Sequence, residues 1–343
     1  MSLATIQRIA EINPIPNADN IEIAKVLGWN VVVRKEEFKV GDLCIYIEID
    51  SLLPRQEWSE FLFKDDESTK YRLRTIKLRK QISQGLVISL NILGHRYEIE
   101  GDKAIFSIPE NNIEILNLGD DVTELLGIEK YEKFIPAQLQ GIIKGNFPHF
   151  LRKTDEVRIQ SEPELLEQLK GKPYYITKKL DGTSATYYKF NNEFGVCSRN
   201  LELKEDENNT YWKIAYKYKL NEIIPEGYAF QGEICGPGIQ GNKSELKEIG
   251  LFLFNVWDIN KFKYIRPHSF GLSHEEPISD FIPIVERIEY GDKFNYTQED
   301  LMKLTENQKY DNNNPAEGIV VRGLDQTISF KVVNNKFLLK YGE

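Results

Sequence analysis

Apolar positions in the first third of the chain alternate with polar ones over short runs, the period of strands that bury one face. Ile21 to Val26, Trp29 to Val33 and Leu43 to Ile49 are such runs, separated by Gly28, by Val40-Gly41-Asp42 and by Pro54. Their spacing predicts a small all-β barrel. Ile82 to Ile88 predicts a further strand, bent or bulged at Gly85. Gly119-Asp120-Asp121 reads as a turn into a short helix capped by Asp121, and Ser161 is the expected N-cap of a helix from Pro163 to Leu169. Beyond these, apolar runs of strand length lie at Tyr174 to Ile176 and Leu251 to Trp257, after Glu317 and around Lys331, with turns at Asn312-Asn313-Asn314-Pro315 and Gly323-Leu324-Asp325. The pattern gives an α+β chain of two domains: a β-barrel over residues 1–130, a connector over 131–146 that includes Ile135-Pro136, and a second domain of strands with flanking helices over 147–343.

A chain of 343 residues is long enough for two domains that each bury a core. Its formal net charge of −9 argues against nonspecific adhesion to nucleic acid. Between Lys70 and Lys80, however, there are six basic residues and no acid. On a strand, Arg72 and Arg74 share one face, with Tyr71 and Leu73 on the other. The run is either a charged edge that blocks aggregation or a stripe, Arg72, Arg74, Lys77 and Arg79, that contacts phosphates. Cys44, Cys197 and Cys235 are isolated, with no C-x-x-C, so neither a disulfide scaffold nor a thiolate zinc site is indicated. His95, His149, His268 and His274 are too scattered in sequence to mark a metal cluster. Without a signal peptide or membrane-length apolar run, an intracellular setting is expected, with the compartment open.

The most informative chemistry lies at Lys179-Leu180-Asp181-Gly182, at the end of the run from Tyr174. A free lysine, with a pKa of about 10.4, is protonated at neutral pH and must be activated by its surroundings before it can attack phosphorus. Asp181-Gly182 ends the strand in a turn that would present Lys179 at the mouth of a pocket. Alone, the four-residue pattern favours a surface turn with solvated lysines. Gly236-Pro237-Gly238-Ile239-Gln240-Gly241 matches G-x-G-x-x-G, but Pro237 and the short polar stretch after it do not make a βαβ unit, and it reads as a loop. No G-x-x-x-x-G-K-[ST] phosphate loop is present. Arg199 offers a planar fork for phosphate oxygens or a turn residue. Phe252 and Phe254 share a strand face, where either could stack on a base or pack in the core.

Taken in order, these segments resemble the lysine-nucleotidyltransferase superfamily of ATP-dependent ligases and mRNA capping enzymes. The matching runs are Lys179 to Gly182, Ser198-Arg199-Asn200, Phe230-Gln231-Gly232-Glu233, Leu251 to Asp258, Glu317-Gly318-Ile319-Val320-Val321-Arg322 and Ser329-Phe330-Lys331-Val332. The resemblance implies an antiparallel, ATP-grasp-like ligase fold. It implies Lys179 as the nucleophile with Asp181 beside it, Glu233 on the ribose, Phe254 on adenine and Arg199 on phosphate. Glu317 would be the metal-organising carboxylate and Lys331 the α-phosphate ligand, with ATP and Mg2+ or Mn2+ bound. Ligases and capping enzymes of the superfamily carry an OB-fold after the last motif; only Val332 to Glu343 follow here, so the extra domain is expected in front.

Trp29 to Val33, Val40-Gly41-Asp42, Tyr46 to Asp50 and Gln81 to Gly85 are similar to the N-terminal OB-like domain of one RNA ligase branch. That likeness implies an enzyme that joins RNA 3′-OH and 5′-phosphate ends at nicks in a duplex; a monomer is expected. A GTP-dependent capping guanylyltransferase and a noncatalytic RNA-binding protein of ligase-like fold are the alternatives. Two positions depart from the superfamily pattern. Lys178 stands where glutamate is common, and Val333 where a second lysine is common, with Lys336 as a candidate replacement.

Overall fold

A computed structural model describes every residue except 1, 64–67, 95–96, 109–111, 132–141, 272–276 and 343. His95, His274 and most of the expected connector, Ile135-Pro136 included, lie outside the described residues. The chain divides into two compact units, one of residues 1–134, 160–163 and 338–343, the other of 135–159 and 164–337.

In the first unit the long strand Ala4–Pro14 pairs with Leu43–Ile47 along its first half and with Ile21–Val26 along its second, its register shifting between Ile9 and Glu11. Such a bulge bends a strand and increases its twist, so one strand serves two faces of a curled sheet. Trp29–Arg34 and Leu86–Ile88 complete five strands in all. Every residue of Leu43–Ile47 is buried because both faces of that central strand are covered. Ile6, Ile45, Ile47, Leu53 and Leu90 form the middle of the core. This is the expected barrel, with two departures. The strand expected over Ile82 to Ile88 is split at Gly85 (φ 96°) into Gln81–Ser83, which pairs with Ile76–Leu78, and Leu86–Ile88, which pairs with Leu43–Ile47. The helix expected after Gly119 is a set of turns: Asp121 accepts a hydrogen bond from the Thr123 amide at 2.9 Å, and Gly127 (φ 65°) turns the chain back so that Glu129–Lys130 can pair with Ser51–Pro54.

The second unit holds two antiparallel sheets. One has seven strands, in the order Ile143–Asn146, Leu201–Leu203, Glu193–Cys197, Thr183–Phe190, Tyr228–Cys235, Gly250–Asp258 and Lys263–Ile265. The other has four, Arg287–Gly291, Tyr174–Lys179, Gly318–Gly323 and Ser329–Val333. Helix Thr210–Lys217, capped by Asn209, sets Trp212 and Ile214 into the core of the larger sheet. Helix Gln298–Glu306 starts in a reciprocal cap between Thr297 and Asp300 and buries Leu301 against Ile319, Phe330 and Val332. The helix after Ser161 opens only at Glu164, so Ser161 stands too early to cap it and donates its hydroxyl to Glu48 at 2.5 Å. No described helix is long and apolar enough to cross a membrane.

Candidate active site

The smaller sheet of the second unit places three of the expected residues by strand register alone. Lys179 ends its strand opposite Gly318, so Glu317 meets it from the adjoining strand, and Lys331 pairs with Val320 one strand further on. The larger sheet supplies Glu233, opposite Ser184 on one neighbour and Phe252 on the other. Gly182 and Gly318 permit this closeness: a Cβ on Gly182 would collide with the Ile234 carbonyl, and one on Gly318 with that of Val332.

The Lys179 ammonium lies 2.6 Å from Glu317 Oε2, both side chains being largely buried. Burial alone would lower the pKa of Lys179, but the charges of Glu317, Glu233 and Asp181 outweigh it and hold the amine above its ordinary value. Glu233 is raised as well: burial, with Glu317 and Asp181 nearby, pushes it up to about 8 against the pull of Lys179. Lys331 is pushed down to about 7 by burial, with Arg158 and Lys179 adding like charge. Carboxylates and amines with opposed shifts in one cluster are a mark of functional sites.

The site also contains residues that the sequence did not announce. Lys243 comes from the loop after Gly236-Pro237-Gly238 and sits 3.0 Å from Asp181 Oδ2, both side chains largely buried. Its carbonyl takes hydrogen bonds from Asn312 at 3.0 Å and Asn314 at 3.1 Å, so the glycine-rich loop that fails as a dinucleotide fingerprint instead delivers a cation. The Tyr310 hydroxyl accepts from the amides of Asp181 at 3.2 Å and Glu317 at 3.3 Å, tying the first and fifth motifs together. Arg158 runs alongside Lys331, with the Val157 carbonyl taking the Lys331 amide at 2.8 Å. All three lie in irregular segments, where no periodicity marks a face.

Phe254 shares its strand face with Phe252, both half-buried as the alternation predicted. The Arg322 guanidinium stands 6.0 Å from the Phe254 ring centre and is itself held by Glu156 and Thr177. Arg199 is exposed and paired with Asp155 at 2.5 Å. Lys178 turns its ammonium to Glu286 and to the Lys309 carbonyl. Val333 is buried, and Lys336 pairs with Glu306 at 3.4 Å on an exposed helix face.

The basic stripe belongs to the first unit. Within it the Arg72 guanidinium is 2.7 Å from Asp50 and 3.8 Å from the Tyr131 ring centre. Its strand ends at Arg72, so Arg74 lies beyond it; Arg74, Lys77 and Arg79 are exposed.

No group of three or more His, Cys, Asp or Glu that could hold a metal by itself occurs among the described residues. A magnesium-type ion, however, is commonly held by one or two carboxylates together with substrate phosphates, and Glu317, beside Lys179, provides such a donor. The donor set therefore fits a nucleotide-borne divalent ion.

Lys331 yields a stability prediction. Its folded pKa of about 7 lies below the lysine value of 10.5, so the unfolded chain binds the extra proton between them and stability rises with pH across that window. The cation's penalty is full below about pH 7 and gone above 10.5. Lys331→Met should therefore melt higher than the parent protein at pH 6 to 7, the gap closing towards pH 10. Parallel melting curves at every pH would show that Lys331 bears no such strain.

An OB-fold domain model matches residues 3–90 and an RNA ligase model residues 172–341. No curated protein matches the chain. Solved structures of Naegleria gruberi RNA ligase align over nearly its full length. A mutant with ATP and Mn is 35% identical, covering 98% of both chains with a TM-score of 0.85. The enzyme with PPi is 35% identical with the same coverage and a TM-score of 0.84. An apo mutant is 36% identical, covering 98% of this chain and 97% of that one, with a TM-score of 0.83. With an OB-fold in front and the motif residues converging behind it, this chain belongs to the RNA ligase family.

Proposed function

We propose that this ligase joins RNA 3′-OH and 5′-phosphate ends in a nicked duplex at the expense of ATP, with Mg2+ or Mn2+, acting as a monomer. The observation that carries the reading is the Lys179 amine held among Glu317, Glu233 and Asp181 with Lys331 close by. The likeness to N. gruberi RNA ligase structures with ATP and Mn supports the choice of nucleotide and metal.

The neighbouring carboxylates hold the proton on Lys179, which makes it a poor nucleophile until their charge is offset. A divalent ion held by Glu317 and the nucleotide phosphates would draw off the carboxylate charge that holds the proton on Lys179, and the Lys331 charge nearby also favours the neutral, nucleophilic amine. The lone pair of Nζ then attacks the α-phosphorus, the bond to the bridging β-oxygen breaks, and pyrophosphate leaves. Lys331 gains in the nucleotide α-phosphate the anion that its position lacks, and Arg199 is assigned to phosphate with it. Glu233 accepts hydrogen bonds from the ribose, and Phe254 stacks on adenine.

In the second step an oxygen of the RNA 5′-phosphate attacks the same phosphorus and the P–N bond to Lys179 breaks, leaving AMP on the RNA. The 3′-OH then attacks the 5′-phosphorus and AMP departs. ATP energy is thus carried on lysine and then on RNA, because a phosphate monoester needs a leaving group before it can be attacked. Arg72, Arg74, Lys77 and Arg79 of the first unit serve RNA binding in this account. Incubation with α-labelled ATP and, separately, GTP tests the nucleotide. Label is expected on the protein from ATP; label from GTP alone would make it a capping-type enzyme, and label from neither a noncatalytic binder.

A further inference from the structure

The ribbon formed by Ile76–Leu78 and Gln81–Ser83 has the register Ile76 to Ser83, Lys77 to Ile82 and Leu78 to Gln81, which leaves Arg79 and Lys80 as a two-residue loop. Both loop residues have positive φ, 46° and 71°. That is the signature of a type I′ hairpin turn, where Asn-Gly is the favoured pair because side chains beyond Cβ gain nothing and lose conformational ease. Two long cations occupy it instead. Strain of this kind persists where the surroundings impose it and is found at functional sites.

The ribbon is anchored on its inner strand. Ser83 is buried and its hydroxyl accepts from the Val32 amide at 2.9 Å, and the Gln84 amide donates to the Asn30 carbonyl at 2.9 Å. The outer strand is exposed at all three positions, with Ile76 at 43% and Leu78 at 40%. By the two-residue period these two apolar side chains share one face, with Lys77 on the other. None of Arg74, Lys77, Arg79 and Lys80 has an acidic partner among the described residues, in contrast to Arg72. A solvated edge that only had to block aggregation would not need a strained turn to aim two cations, nor leave isoleucine and leucine bare beside them.

The geometry points to this hairpin as a duplex-binding finger, with Arg79 and Lys80 at its tip on backbone phosphates and Ile76 and Leu78 on the sugars of the groove between them. The wide, shallow minor groove of A-form RNA presents such a surface, whereas its major groove is too deep and narrow for side chains to read. This assigns the grip on the duplex to one hairpin of the first unit, and it rests on the ligase reading above.

Arg79→Asn combined with Lys80→Gly tests it, because that pair installs the favoured residues of the same turn. The double variant should melt at or above the parent temperature, so a loss of binding cannot be put down to misfolding. Its affinity for a nicked RNA duplex should fall at least tenfold at moderate salt. The slope of log K against log salt should shrink by about two, at about 0.9 for each lost phosphate contact on a duplex. Ile76→Ser with Leu78→Ser should weaken duplex binding while leaving single-strand binding within twofold. Unchanged duplex affinity and salt slope in the Arg79/Lys80 variant would overturn the proposal, as would equal losses for duplex and single strand. Covalent labelling of the parent protein by ATP separates the two readings. Hairpin-dependent binding without labelling would keep the finger and remove the ligase, and labelling with hairpin-independent binding would do the reverse.

Discussion

Lys179→Ala should acquire no covalent AMP, whereas Lys178→Ala should label like the parent protein. The two lysines are adjacent on one strand, yet their side chains go to opposite surroundings. Lys179 is held at 2.6 Å from Glu317 with Glu233 and Asp181 acting on its charge, and Lys178 is turned away to Glu286 and the Lys309 carbonyl. Without Nζ at position 179 there is no atom placed to form the P–N bond, and the loss should be complete. The bond itself should be labile in acid and stable in base, as a phosphoramidate is. Denaturing electrophoresis after incubation with α-labelled ATP and a divalent ion makes the comparison. Label persisting in Lys179→Ala would falsify the assignment, and label lost in Lys178→Ala alone would move it by one residue.

The second large effect is expected at Glu317 and Lys331. Each is assigned to charge that develops or must be neutralised around the α-phosphorus, the kind of contribution whose removal costs roughly 10²- to 10³-fold in rate. Glu317→Ala and Lys331→Ala should therefore slow formation of the lysyl-adenylate by about two to three orders of magnitude in single-turnover measurements. Folding must be checked beside the rate, because Glu317→Ala leaves the Lys179 ammonium without its ion-pair partner in a largely buried place. Glu317→Gln, which keeps the shape and a hydrogen-bond acceptor, should be as slow as Glu317→Ala if the charge is what matters. Near-parental rates in Lys331→Ala and in Glu317→Gln would take both residues out of the chemistry.

What could be read from the sequence follows a physical division. Lys179, Glu233, Glu317 and Lys331 lie on or beside strands whose apolar alternation fixes which residues share a face, so motif order and register together bring them into one cluster. The shared face of Phe252 and Phe254 follows from the same alternation. Periodicity says nothing about what stands opposite a side chain. Arg72 falls on the predicted strand, but no pattern in the sequence shows that Asp50 and Tyr131 meet it there.

Lys243, Tyr310 and Arg158 lie in loops and an irregular edge segment, and they reach the site only through chain reversals that no local pattern encodes. Gly85 was recognised as a break, but whether it would bend one strand or divide it depended on the separate pairing of Gln81–Ser83 with Ile76–Leu78. The turn after Asp121 and the late start of the helix at Glu164 show how a few residues of local propensity yield to the pairing and hydrogen bonding of neighbours.

The central claim is that AMP moves from Lys179 to an RNA 5′-phosphate and is then expelled as the strand closes. Labelled enzyme-AMP, freed of ATP and mixed with a nicked RNA duplex bearing a 5′-phosphate and a 3′-OH, tests this most directly. The label should leave the protein only when RNA is present, appear transiently on the 5′ end of the nick, and end as free AMP in step with sealed product. Label that stays on the protein, or is released as AMP without any adenylated or sealed RNA, would contradict the account.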